Sequence, residues 1–556
     1  MKRGYRSLLS ALLRWSWLRR GFYVVVIALF LGSLLQPAWQ FVRPAGVAGA
    51  VSVGGVPLAF LPKDDKDSFL VHIRLPETAP LEVTDALARE VEAELRRHPQ
   101  VRDFTTHVGL PAVIDFNGLL KGSGRNVGPQ YAEIRVNLVD KRQRDHTSIA
   151  LVRALRPSVE AIATRYPGAV IQLVEDPPGP PVRATLLAEL YGPDLAVLDA
   201  LAERVADAFS ATHDMAEVWT SVPSDVPEYR LRVHRDKAAL AGVDPARASA
   251  ALRRLLDGET LTFATPPGER EPVPVRLHIP REHRIDPDTL SRAHVENAAG
   301  QRIPLSTLVE VDAATAPRII EHKNGERVRY VGGELGASAP VYAILDLDRR
   351  FDGLDLGDAG SLVTANLGLH SVRPDALQGY QLLWEGELRL TLDAFRDMGV
   401  ALGLALLAIF LLLVGYYRSY RLAGLALVPV PLGLIGVFPA HWLLGTTFSA
   451  ASMVGVIALA GVVVRNSLMI IDFIQDRLRT GVGLEQAILD GGAVRLRPIL
   501  LTTLTIALGT WIMVPDPVFG GLAIALIFGA MSSAVLSLLL VPLLYRSLYQ
   551  RGLCDE

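Results

Sequence analysis

The chain has 556 residues, a formal net charge of −2 and one cysteine, Cys554. That near-neutral balance sets up no global field for nucleic acid, and a lone cysteine excludes a disulfide framework. No CxxC, HExxH or Gly-rich phosphate loop is present, and no nucleophile–base pair or metal cluster stands out, which argues against an enzyme.

Residues 1–20 mix Leu8, Leu9, Leu12, Leu13 and Trp15 with arginines, the pattern of an amphipathic helix lying on the inner leaflet. Six apolar stretches follow, at 21–41, 397–417, 422–443, 448–474, 498–515 and 518–545. Each has roughly the 20 residues that cross about 30 Å of hydrocarbon. The expected fold is therefore an α-helical membrane protein with six transmembrane helices and a large domain between the first and second. A cleaved signal peptide is the alternative for the first stretch. Its small-residue site, Ala48-Gly49-Ala50, lies too far beyond the apolar run, so the stretch reads as an anchor.

Lys and Arg in short loops resist transfer and set orientation. Lys2, Arg3, Arg6, Arg14, Arg19, Arg20, Arg418, Arg421, Arg477, Arg479, Arg495, Arg497, Arg546 and Arg551 all fall in segments that share one side. The loops at 441–447 and 514–518 carry none. Both termini, including the tail at 551–556, are expected in the cytoplasm and the domain at 42–392 outside it.

Within that domain, strand-like alternation at 68–75, a helix at 81–97 and a strand at 101–108 precede a Gly-rich loop at 109–129. A strand at 131–139, a helix at 148–165 and a strand at 169–174 complete a βαβ-βαβ order, the ferredoxin-like arrangement. A second round starts with a strand at 185–191, a helix at 194–211 and a strand at 216–222. The pair HPQVRDFTTHV and THDMAEVWTSV marks an internal duplication. A Pro- and charge-rich insertion at 236–310 interrupts the second round, which resumes with strand-like segments at 327–335 and 341–347. Two subdomains result, 42–180 and 181–392, joined by the stiff Pro-rich stretch 176–181. The remaining five spans occupy 393–550.

Arg465 lies about 14 residues into the fourth span, where a guanidinium costs several kcal/mol unless it faces protein, water or a counter-charge. Asn466 beside it adds donor and acceptor capacity. Asp472, seven positions on, is about 10 Å further along the axis and too far for an ion pair. The spans offer no other carboxylate deep enough. Arg495 and Arg497 precede Pro498, which suits the first turn of a helix. Thr502 and Thr503 then enter an apolar helix, where threonines often bond the i−4 carbonyl.

At these residues the chain resembles the C-terminal half of a resistance-nodulation-division (RND) permease. Residues 455–472 resemble that family's tenth helix, with its G-x-x-x-K/R-N-(A/S)-I-L pattern. Arg495-Leu496-Arg497-Pro498-Ile499-Leu500-Leu501-Thr502-Thr503 resembles the start of the eleventh, and 381–397 the approach to the eighth. The resemblance implies a half-size subunit of a proton-driven exporter in the bacterial inner membrane. It needs no cofactor beyond the proton motive force. Its partners would be a companion N-terminal half carrying paired aspartates, further copies in a trimer, a periplasmic adaptor and an outer-membrane channel. Arg465, Asn466, Arg495 and Thr502 would form the proton relay. Arg465 stands where many drug pumps have Lys, so it is a fixed counter-ion that cannot give up its proton. Phe116, Leu119 and Leu120 of the Gly-rich loop would line a substrate pocket, and the insertion would be a docking subdomain. Met215 is the one methionine at 42–392, too few soft ligands for a copper or silver relay, which leaves an organic or amphiphilic substrate. Two other readings stay open: a SecD-like protein-export accessory, and a non-transporting fragment or structural subunit of a pump.

Overall fold

A computed structural model describes residues 2–113, 118, 123–175, 179, 182–268, 270–280, 287–336 and 338–550. Phe116, Leu119, Leu120 and all of the Pro-rich joint except Gly179 lie outside the described residues.

The first subdomain between the first and second membrane helices runs β1 (Ser68–Arg74), α1 (Leu81–Leu95), β2 (Val101–Val108), β3 (Tyr131–Leu138), α2 (Ser148–Ala163) and β4 (Val170–Glu175). Its sheet has the order β2-β3-β1-β4, with every pair antiparallel. Alternation along β1 turns Phe69, Val71 and Ile73 onto the helices, whose Leu87, Val91, Leu95, Leu155 and Val159 complete the core. Thr147 caps α2, its hydroxyl accepting from the Ala150 amide.

The second subdomain repeats the plan with β5 (Leu186–Tyr191), α3 (Leu195–Ser210), β6 (Met215–Thr220), β7 (Glu326–Leu335), α4 (Pro340–Phe351), β8 (Leu362–Ala365) and β9 (Tyr380–Gly386). The sheet order β6-β7-β5-β9 matches the first sheet strand for strand, and β8 is added in parallel beyond β9. Trp384 of β9 stacks on Phe209 of α3 at 6.3 Å between ring centroids. Beneath α3, Asp199 accepts from buried Arg329 of β7 at 2.6 Å.

Residues 341–347 are not a strand. Pro340 starts a helix at its first turn, and Tyr342, Ala343, Ile344, Leu347 and Phe351 then bury one helical face. The closing strands of this sheet are β8 and β9, and β9 leads directly into the second membrane helix.

Pro223–Ile319 forms a separate compact unit, wider at both ends than the 236–310 marked by composition. Its strands Pro227–Val233 and Val309–Thr315 pair antiparallel. Ala238, Val243, Ala248, Leu252, Leu305 and Leu308 form its small core. A ribbon of Glu259–Ala264 with Val273–Leu277 is exposed along its whole length.

Six helices are long and apolar enough to cross a membrane: Ser16–Val42, Glu387–Tyr417, Tyr420–Leu443, Ala450–Arg479, Leu484–Trp511 and Gly520–Tyr549. The third is broken into three pieces around Pro429 and Gly433. Small residues let the third, fourth and sixth approach closely. A Cβ on Gly436 would lie 2.1 Å from the Phe528 carbonyl oxygen, and one on Gly529 would lie 2.3 Å from the Leu459 side chain.

The fifth span does not begin at Pro498. It starts at Leu484, with Pro498 inside it. Ala487, Ile488, Gly491, Ala493 and Leu496 keep one face buried through a stretch whose charges lower its hydropathy. Pro498 has no N–H for the carbonyl one turn back, a loss that bundle helices tolerate. The N-terminal helix Lys2–Arg14 covers its apolar stripe with protein. Leu9, Leu12 and Leu13 join the core of the spans, and the Tyr5 hydroxyl donates to the Leu538 carbonyl at 2.7 Å. Tyr5 seats against Gly492, where a Cβ would fall 1.8 Å from its hydroxyl.

Removing one member of the Asp199–Arg329 pair strands a buried charge. Asp199→Ala should destabilise the chain by about 3–5 kcal/mol, read as a lowered unfolding temperature of the purified protein. The double change Asp199→Leu with Arg329→Met should recover most of that loss.

Candidate proton-relay site in the membrane helices

The fourth span turns two different faces. Leu459, Val463, Ile470, Ile471 and Ile474 are buried in the bundle, together with Asn466 and Ser467. The opposite stripe, Val454, Ala458, Gly461 and Arg465, is exposed at the three- and four-residue spacing of one helix face. Arg465 has no hydrogen bond or ion pair among the described residues. The stripe beside it is small and apolar.

Asp472 is engaged elsewhere. It accepts from the Tyr417 hydroxyl at 2.8 Å, with Tyr416 at 3.4 Å, both at the end of the second span. The two tyrosines meet edge to face, with centroids 5.0 Å apart. That partnership had no signal in the sequence, since tyrosines ending a span read as interface anchors.

Arg495 sits on the Phe473 ring at 5.8 Å, and Arg477 approaches the same ring at 5.2 Å. The Arg495 Nε is buried without a hydrogen-bond partner among the described residues. Thr502 turns inward to its own helix, donating to the Pro498 carbonyl at 2.8 Å, with the Ile499 carbonyl at 3.0 Å. The fourth and fifth spans run antiparallel through the short link at 480–483. With Arg495 level with Phe473, Thr502 lies about 10 Å further along its helix and Arg465 about 12 Å along the other. Arg465, Asn466 and Thr502 therefore share a level, and Arg495 lies nearer the link.

One polar pair near the other end of the bundle was not anticipated. Buried His441 contacts the Val437 carbonyl through Nδ1 and the Ser452 hydroxyl through Nε2, each at 2.9 Å. Nothing in the sequence links these residues, which come from different spans.

The arrangement presents a permanent cation, polar company at its level and a smooth stripe on the surface of one helix. The model of the AcrB/AcrD/AcrF family matches residues 2–549. The chain belongs to this family. It is 27% identical to the cobalt-zinc-cadmium resistance protein CzcA of Cupriavidus metallidurans over 384 residues, 66% of this chain and 34% of that one. It is 26% identical to protein HelA of Legionella pneumophila, covering 87% of this chain and 45% of HelA. It is 24% identical to the multidrug resistance protein MdtC of Yersinia pestis, covering 98% and 48%. A crystal structure of a heavy metal efflux pump superposes with a TM-score of 0.76 at 22% identity, over 99% of this chain and 52% of that one. The chain spans about half the length, or less, of these family relatives.

The Thr502 hydroxyl serves its own helix, so Thr502→Val should leave the unfolding temperature nearly unchanged, within about 1 kcal/mol. A larger loss would place that hydroxyl in a contact between helices.

Proposed function

We propose that this chain works as one half of a proton-driven RND efflux permease, completed by a companion half from another polypeptide. The observation that carries the reading is Arg465, a charged residue on the exposed face of a membrane helix with no anion among the described residues. A guanidinium keeps its proton at physiological pH. Carboxylates on the companion would therefore do the switching, pairing with Arg465 when ionised and releasing it when protonated. Asn466, Thr502 and Arg495 would frame that exchange, with the proton motive force as the energy source. The chain acts here as a secondary transporter and not as an enzyme.

In this reading the charge asymmetry of the loops puts both termini in the cytoplasm and the external subdomains in the periplasm. The repeated strand order supports two ferredoxin-like porter subdomains. The 223–319 unit is the docking element, and its exposed ribbon supports contact with another subunit. The assembly would be trimeric, working with a periplasmic adaptor and an outer-membrane channel.

The proposed cargo is organic or amphiphilic. Met215 packs under Gly333 in the core of the second subdomain and is not offered as a ligand. Among the described residues no group of three His, Cys, Asp or Glu could hold a metal ion. A metal-ion cargo is the second reading, favoured by the cobalt-zinc-cadmium name of one relative.

Arg465→Ala, co-expressed with the companion half, should abolish pH-gradient-driven export while membrane insertion persists. Undiminished export would remove Arg465 from the mechanism.

A further inference from the structure

We propose that Glu217 is a proton-operated latch between the two external subdomains. This goes beyond the half-permease reading and does not depend on Arg465.

Glu217 lies in β6 with φ of 58°, the left-handed region that a residue with a Cβ adopts at a cost. The ladder between β6 and β7 slips at this point, between Gly332 and Glu334, so a bulge expels Glu217 from the regular alternation. The distortion sends its carboxylate out of its own sheet and into the first subdomain. There Oε1 accepts from the Leu173 amide of β4 at 3.1 Å and lies 3.3 Å from Arg156 of α2. Leu173 is on an edge strand, so its outward N–H would otherwise have no partner in the sheet.

The pair is incompletely satisfied. The Glu217 side chain is 10% exposed, yet its Oε2 and the Arg156 Nη1 both lack hydrogen-bond partners among the described residues. The 3.3 Å approach is within Coulombic reach but does not make a hydrogen bond.

The rest of the seam is acidic. Lys63 bridges the Glu175 carboxylate of β4 at 2.9 Å and the Leu335 carbonyl of β7 at 3.3 Å. Glu334 of β7 accepts from the Thr185 hydroxyl and adds its charge to the field on Glu217. Glu387, which opens the second membrane helix, accepts from the Phe60 amide and feels both Glu334 and Lys63. Four carboxylates thus face two cations, Lys63 and Arg156. Protonating one of them relieves the excess.

Burial is the largest influence on Glu217 and raises its pKa to about 7, with Arg156 and the Leu173 amide acting the other way. The sign follows from that direction. A carboxyl raised only in the closed seam leaves the seam tightest at low pH, where both the closed and the open form are protonated. As pH rises the open form ionises first, and the closed seam loses stability relative to it up to about pH 7, where the closed form ionises as well. Because Glu387 starts the second membrane helix, release at the seam reaches the membrane through a continuous backbone.

Hydrogen exchange on the full chain in nanodiscs, read over residues 170–175 and corrected for the intrinsic pH effect on exchange, tests this directly. The wild type should lose protection by about tenfold between pH 6 and pH 8, one pH unit above the carboxyl value. Glu217→Gln keeps the shape without the charge and should stay protected across that range. Arg156→Met removes the cation that holds the carboxyl down, so the loss should deepen and extend to higher pH. Protection in the wild type that does not change with pH, or a Glu217→Gln protein that keeps the full pH response, overturns the proposal. If Glu217→Gln does not fold, an unshifted response in Arg156→Met overturns it equally.

Discussion

A guanidinium inside hydrocarbon costs about 2.5–3.5 kcal/mol on insertion scales, and it cannot escape by losing its proton. Arg465 imposes that constraint on the whole membrane half of the chain. Its helix is well buried on one side, packed by Leu459, Val463 and Ile470, so the charged face cannot rotate inward. Asp472 on the same helix is held by Tyr417. What remains is an exposed stripe of Val454, Ala458 and Gly461 leading to a cation. Small residues on such a stripe allow a second helix to approach closely.

The sheet-containing half depends on a different economy. One βαββαβ plan is used twice, and each copy closes its own core on one face of its sheet. The long insertion leaves the second copy between β6 and β7, neighbouring strands in the sheet, without disturbing the sheet order. The cost of joining the copies appears at β6, where the bulge at Glu217 gives up regular pairing to make a contact across subdomains.

Much of this was legible in the residues. The strands of the first subdomain alternate cleanly, so their positions followed from period alone, and the duplication was visible in the β2 and β6 segments. Residues 341–347 misled because a short apolar run fits either period, and burial of Phe351 a further turn on decided for helix. The sequence points to Pro498 as the start of the fifth span because charges at 485–497 hide its earlier turns, although their apolar partners face the bundle. Among the candidate site residues, Arg465 stands out in the sequence through the cost of its charge. The Tyr417–Asp472 bond, the Phe473 platform and the His441–Ser452 pair are tertiary contacts between spans, and no local pattern encodes them.

In the function proposed above, Arg465 supplies the cation of a proton relay and the anion comes from outside these residues. Proton flux through the purified chain, reconstituted alone into sealed vesicles with an imposed pH gradient, measures that most directly. The account predicts no flux above that of empty vesicles. Sustained coupled flux from the chain by itself would contradict it.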